Sequence, residues 1–533
     1  MHQNHALRTA RGVALTLLLA ACGTSDAPES SPPPTDGAVL DADATAPCDG
    51  CSEGGSTGGS GGTGATGGTG GTGGTSEGGA AGFSGEAGSG GTASGCPGLD
   101  PIVAPAERLY VAPNGSDEAS GAEDAPLASL EEAAARFPTG GTVIVRGGTY
   151  PPQQWFTATG TEGHPLHIRA ADGETPVFDG SEVQSEWSAV IAMQSASHVV
   201  LEGLEVRSCS APSCQGISSD DPVLDLTLRG CHVHHMDGPA ARFSGKRIRI
   251  EGNHFHDIAL TNENNTDYPN GGWPTCTGTV PDRSNTSDPW ADDVVIRANL
   301  IQDCWGEGIG LWYASNAVVE DNVIENAWNV GIYGDNAFHL RIARNYVHML
   351  RGSNGGAGTG ILFGTEDYPG WGIPSSATHD VDVVNNVVVA GGGIGWWAMS
   401  TPESTYQSLR VLHNTVVATH RGALGFSEVE AGVASPTGCA VKNNVFSEAE
   451  DAWLGDPGAF VLDGNVWIGT SMPSAAGASD VALDIPIDPF SQATDAQALA
   501  PLVGTGEAGV GVTDDFLCSP RDTSAPTRGA FEP

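Results

Sequence analysis

Apolar and polar residues alternate in short runs along much of this chain, and the runs recur. Ile248-Arg249-Ile250 stands three residues before Asn253, Val294-Val295-Ile296 before Asn299, Ala317-Val318-Val319 before Asn322, and Leu340-Arg341-Ile342 before Asn345. The unit continues ahead of Asn386, Asn414, Asn444 and Asn465, and Leu226-Thr227-Leu228 fits the register with Cys231 at the Asn position. Alternation with a period of two predicts strands. From Cys231 the spacings are 22, then 46 (read as two periods), 23, 23, 41, 28, 30 and 21. A second short strand is expected about nine residues after each Asn, at Gly308-Ile309, Gly331-Ile332, Gly360-Ile361 and Gly393-Ile394.

One such unit cannot bury its apolar side alone. Stacking coils at about 4.8 Å gives parallel sheets around a shared core, so the repeat predicts an all-β solenoid. Asn suits a tight corner, where its amide can bond to the coils on either side. A propeller would need longer units, and a leucine-rich repeat would need Leu-x-x-Leu-x-Leu, which is absent.

Three further stretches add a family resemblance. They are Tyr110-Val111-Ala112-Pro113-Asn114-Gly115-Ser116-Asp117, Pro126-Leu127-Ala128-Ser129-Leu130-Glu131-Glu132-Ala133-Ala134, and Gly141-Thr142-Val143-Ile144-Val145-Arg146-Gly147-Gly148-Thr149-Tyr150. Together they resemble the N-terminal cap of right-handed parallel β-helix proteins of the pectate-lyase-like group. The tail, with Asp515-Phe516, Arg521 and Gly529-Ala530-Phe531-Glu532, is similar to the ending of many secreted members. The resemblance covers roughly residues 105–533 and implies a right-handed parallel β-helix whose end is plugged by a helix at 127–136. For function it implies only a range, since this fold hosts lyases, glycoside hydrolases, epimerases and adhesive proteins.

The ends of the chain change the picture. Arg8 and Arg11 precede the apolar run 13–20, an export signal too short to span a bilayer. Leu19-Ala20-Ala21-Cys22 resembles the bacterial lipobox, which implies lipidation of Cys22, and Gly23 after it favours the outer membrane. Residues 23–98 are rich in Gly, Thr, Ser and Pro and are expected to form a disordered tether. The expected organisation is therefore a signal peptide at 1–21, a linker at 22–98, the β-helix at 99–470 and a packing or capping extension at 471–533. The expected form is a monomer held at the outer membrane or cell surface by its lipid alone. With 22 Lys+Arg against 64 Asp+Glu, the net charge of −42 excludes a nucleic-acid partner. Without Cys22, ten of the eleven cysteines remain, consistent with an oxidising compartment. Cys209/Cys214 and Cys276/Cys304 are candidate pairs, as are Cys48/Cys51.

Register places the candidate chemistry. Arg242, Gly310 and Tyr333 should share one outward column, with Ser244, Trp312 and Asp335 beside it, Glu307 just ahead of it and Trp397 on a later coil. Trp312, Tyr333 and Trp397 could stack on a sugar while Glu307 and Asp335 act as acid and base. The alternative is that the inserts 259–291 and 351–375 cover these rings. Arg242 or Lys246 could instead serve as the base of a lyase. Asp220, Asp221, Asp257, Asp292 and Asp293 could hold calcium, the cofactor used by related lyases. His232, His234, His235, His254 and His256 stack with Asp257 on adjacent coils. They form either a transition-metal set or a solvated corner. The expected partner is a polysaccharide. A glycan-cleaving enzyme, a non-catalytic adhesive protein and a structural spacer remain as competing functions.

Overall fold

A computed structural model describes residues 96, 98–265, 274–349, 358–399, 401–418, 422–447, 449, 451–485 and 500–532. The signal peptide, Cys22, Cys48, Cys51 and nearly all of the tether lie outside the described residues.

From Arg108–Val111 to Val481–Leu483 the chain winds as a three-sided solenoid. Each coil contributes two strands to a 23-stranded sheet and one to a 13-stranded sheet, and successive coils pair in parallel. One coil shows the pattern. Leu300–Cys304 lies in the smaller sheet, while Glu307–Trp312 and Ala314–Glu320 lie in the larger one, bent apart at Tyr313 with φ of 53°. Inward residues stack in columns. Ile250, Ile296, Val319, Ile342, Val383, Val411 and Val441 are in register and fully buried. Burial of each such side chain contributes about 1.5–3 kcal/mol.

The Asn column is an internal ladder. Asn253, Asn299, Asn322, Asn345, Asn386, Asn414 and Asn444 each donate Nδ2 to the Oδ1 of the next Asn at 2.9–3.0 Å. Each backbone N–H donates to the same oxygen, and Asn465 ends the series on Asp480 Oδ1. The residue before each rung is left-handed, whether Gly252, Ala298, Asp321, Arg344 or His413. The ladder corrects one expectation. Asn253 bonds directly to Asn299, so the 46-residue spacing is a single long coil and not two periods. Its extra length supplies the strand Thr275–Thr279 between Ala241–Phe243 and Glu307–Trp312.

The Gly-Ile units have a steric cause. A Cβ at Gly308, Gly331, Gly360 or Gly393 would meet the carbonyl oxygen of the next coil at 2.6, 2.6, 3.1 and 2.2 Å. It would also strike the core side chains Ile324, Val347, Val388 and Val416. Only glycine lets the coils close to strand spacing there.

The helix Leu130–Arg136 buries Leu130, Ala133 and Ala134, and its first turn is capped by Ser129, whose side chain accepts from Glu132 N. At the other end, Leu502, Ala530 and Phe531 pack on Val387, Val445, Val466 and Ile468. Arg521 donates to Asn385 Oδ1 and to the carbonyls of Thr527, Gly529 and Ala530. Disulfides join Cys209 to Cys214, Cys276 to Cys304, and Cys96 to Cys518. Among the described cysteines, Cys231 and Cys439 are free and buried.

Candidate active site

The outward face of Glu307–Trp312, Val330–Asp335 and Thr359–Gly364 carries a cluster of acids and rings. Trp312, Asp335, Gly364 and Trp397 share one register position on successive coils. The neighbouring column runs Arg242, Gly278, Gly310, Tyr333. Arg242 is thus separated from Gly310 by an intervening strand, which corrects the expected direct adjacency. It still acts on the site, because its charge favours the ionised form of Glu307.

Glycines make room for the polar groups. A Cβ at Gly310 would stand 3.2 Å from Glu307 Oε2 and 2.5 Å from Thr275 Cγ2, so the Glu307 carboxyl lies over the glycine on the outer face. A Cβ at Gly364 would meet Trp397 Nε1 at 2.5 Å and the Tyr333 hydroxyl at 2.8 Å. Those two atoms are bonded. Trp397 Nε1 donates to the Tyr333 hydroxyl at 2.7 Å, and that hydroxyl donates to Glu366 Oε1 at 2.8 Å.

Glu366 was not anticipated from the sequence. It lies in the loop after Thr359–Gly364 and completes a trio with Glu307 and Asp335. The Tyr368 hydroxyl sits 2.6 Å from Asp335 Oδ2 and 2.8 Å from Glu366 Oε2. A hydroxyl has one proton, so it can donate to only one of these acceptors, and a carboxyl proton must supply the other bond. Asp335 is the group that holds it. Burial first, and then the Glu366 charge, push its carboxyl well above the usual range, although its contact with Tyr368 and the hydrogen bonds from Glu366 N and Asn336 oppose the shift. Glu307 is raised in the same way, by burial and then by the charges of Glu366 and Asp335. A proton relay Asp335–Tyr368–Glu366 follows, with Tyr333 and Trp397 fixing the other side of Glu366.

The covering loop adds Trp371, which stacks on Tyr368 with centroids 5.3 Å apart and leans on Trp312 at 4.9 Å. The Arg283 guanidinium lies 4.9 Å from the Trp371 ring. Trp371 is 37% exposed, whereas Tyr333 is 7%, Glu307 6% and Asp335 2% exposed. The accessible ring is therefore Trp371. Tyr333 and Trp397 hold Glu366 in place, and the acids lie beneath the loop.

Other candidates are placed elsewhere. Lys246 is exposed, with Nζ 3.8 Å from Asp288, and pairs in register with Asp292. Four arginines near it in sequence are paired with acids. Arg207 faces Asp179, Arg229 pairs with Glu251, Arg247 with Asp225, and Arg249 with Asp293. The five calcium candidates are not brought together. Asp257 lies in the smaller sheet against His256 Nδ1 at 2.7 Å. Asp292 accepts from Ser315 and Asn316, and Asp293 from Arg249. Among the described residues, Asp220, Asp221, Asp292 and Asp293 belong to no cluster of three or more potential ligands. This donor set does not fit one calcium ion. The histidines do stack as register predicts, with His232 opposite His254 and His234 opposite His256.

Comparison with known proteins agrees with the architecture. A family model described as Pel9A-like, right handed beta helix region, matches residues 109–271, and one described as Right handed beta helix region matches residues 282–367. Pectate lyase PEL9 of Emericella nidulans is 26% identical over 223 residues, which span 41% of this chain and 53% of that protein. Uncharacterized protein YwoF of Bacillus subtilis is 29% identical over 143 residues, 25% of this chain and 31% of that protein. The matches thus span about half or less of these curated relatives. Among solved structures, pectate lyase Pel9A aligns over 81% of this chain and 97% of its own, at 16% identity and a TM-score of 0.45. Ladder, parallel coils and matched regions agree: the chain is a right-handed parallel β-helix protein, similar over part of its length to a pectate lyase.

Proposed function

We propose that this is a polysaccharide-active protein that cleaves glycosidic bonds by carboxyl acid–base chemistry on its outer face. The observation that carries this reading is the meeting of Glu307, Asp335 and Glu366, from three successive coils, beside Trp312, Tyr368 and Trp371. Glu307, held toward its protonated form, is the proposed acid toward the glycosidic oxygen. Glu366, kept by Asp335, Tyr368 and Tyr333, is the proposed base or nucleophile. Trp371 and the edge of Trp312 would take the apolar face of a sugar ring. Entry to the acids requires the Tyr368 loop to yield. A neutral or weakly acidic glycan suits the site, because a polyanion meets both the −42 charge and the acidic trio. Attachment at the outer membrane through lipidated Cys22 belongs to the same proposal and rests on residues 1–23 alone.

Screening a glycan array and then assaying products tests the reading. New reducing ends without unsaturated uronate absorbance are expected, with a loss of about 100-fold or more in Glu307→Gln. Full activity in Glu307→Gln and Glu366→Gln would remove the site. A second reading, β-elimination of a uronate, draws on the partial match to a pectate lyase, with Arg242 or Lys246 as base. Unsaturated uronate products would select it.

A further inference from the structure

The smaller sheet carries a second polar cluster, away from the carboxyl trio and unused by the proposed reaction. Strands His232–Met236 and His254–Ile258 pair in parallel and present five histidines. His232 and His254 stack with ring centroids 4.9 Å apart and 7° between planes. His234 and His256 do the same at 4.9 Å and 6°. A corner that was merely solvated would leave each ring to water. Here the rings bond to one another instead, as His232 Nε2 faces His256 Nε2 at 2.8 Å and His234 Nδ1 faces His235 Nδ1 at 2.7 Å.

The outer partners orient the lone pairs. His256 Nδ1 lies 2.7 Å from Asp257 Oδ2. A carboxylate accepts, so the proton of a neutral ring sits on Nδ1 and the lone pair on Nε2 points at His232. His254 Nε2 lies 3.1 Å from Gln302 Oε1, and the Gln302 amide is itself fixed by donation from Nε2 to Glu325 Oε2 at 2.7 Å. Metal-binding histidines characteristically have their second ring nitrogen committed in this way, to a carboxylate or carbonyl oxygen. One ring nitrogen each from His232, His254 and His256 already lie within 4.8 Å of one another.

The geometry points to a transition-metal site formed by His232, His254 and His256, with Asp257 and Gln302 as its outer supports. Imidazole nitrogens select zinc, nickel or copper(II) over calcium. With Zn–N of 2.0–2.1 Å, tetrahedral ligand nitrogens stand roughly 3.3 Å apart. His232 and His256 separate slightly, and His254 turns out of its stack on His232 to bring a nitrogen inward, as the ion replaces the proton between His232 and His256, which passes to His232 Nδ1. Three protein ligands leave a fourth position for water or for the nearby His235. The ion would bridge two adjacent coils.

Isothermal titration of the chelator-treated full chain with zinc tests this, paired with cobalt(II) absorption spectra. One equivalent is expected to bind with micromolar or tighter affinity, to raise the melting temperature and to give a low-coordinate cobalt spectrum. His254→Ala and His256→Ala should each weaken binding at least tenfold, while His379→Ala, in the separate His339–His379–Asp380 group, leaves it unchanged. Circular dichroism of the metal-free variants separates lost ligands from lost fold. If His256→Ala unfolds the chain, Asp257→Asn replaces it and should weaken binding several-fold. Absence of saturable one-to-one binding, or unchanged affinity in the folded His254 and His256 variants, overturns the site. Neither result bears on glycan cleavage, because no activity is read.

Discussion

The Asn corner and the carboxyl face are built by the same coils and solve burial in opposite ways. At the corner each side chain is both donor and acceptor, so identical residues stacked in register satisfy one another. On the outer face two strands and a loop bring acids together, and acids can only accept when ionised. Glu307 and Asp335 are pushed toward their protonated forms, and Glu366 accepts from the hydroxyls of Tyr333 and Tyr368. A self-complementary amide column is a stability device. A cluster of acids raises the cost of the ionised state, and such costs concentrate where chemistry is done.

The largest expected effect breaks the corner. Asn322 makes bonds to Asn299 and Asn345 and to the carbonyls of Ile296 and Glu320. Asn322→Leu strands several of these groups and should cost about 3 kcal/mol in denaturant unfolding. An unchanged midpoint would show that the ladder is not cooperative.

The two regions should also respond to pH with opposite sign. Glu307 is raised in the folded state, so its contribution is intact below the ordinary carboxyl value of 4.5 and is lost as pH rises through the higher folded value. Glu307→Gln should therefore flatten the loss of melting temperature on the alkaline side. His413 lies in the corner, with Nδ1 3.1 Å from Thr527 O and Nε2 receiving Asn443 Nδ2. Burial, and then Arg521, lower its folded value to about 3. Its contribution is present above pH 6.5 and is lost as pH falls from there toward about 3. His413→Asn, which tolerates the left-handed backbone, should flatten the acid side only. Swapped limbs would refute the contrast.

Tyr368→Phe removes the hydroxyl between Asp335 and Glu366 and should cost about 1.5 kcal/mol. The loss should be deeper at pH 8 than at pH 5, where protonated acids can bond to each other. Trp371→Ala is the mildest change. It should weaken binding of the selected glycan by about 1 kcal/mol, read by titration calorimetry, and leave stability almost untouched.

Much of this was legible from period and residue type. The ladder from Asn253 to Asn465, the Gly-Ile strands and the Leu130 helix follow from alternation, corner chemistry and resemblance. The long coil was not, because 46 residues between Asn253 and Asn299 equal two average periods and only the amide contact distinguishes the cases. Glu366, Tyr368 and Trp371 were missed because a loop has no register to place it. The available signal was the acidic-aromatic run Glu366-Asp367-Tyr368 just beyond Phe363-Gly364, in a coil already carrying the candidate column. The calcium candidates share a charge type and lie in neighbouring coils, yet they fall on different faces.

What the sequence determined by itself is whatever repeats: strand period, the Asn corner, glycine at the close approach, and hence the solenoid. Tertiary structure alone decided which non-repeating segments meet. It set Glu366 and Tyr368 over Asp335, joined Cys96 to Cys518 across 422 residues, and locked Arg521 of the tail against Asn385. The physical reason is that a repeat propagates through nearest-neighbour contacts, which local pattern encodes. Loop and tail docking depends on shape and charge assembled from many coils at once.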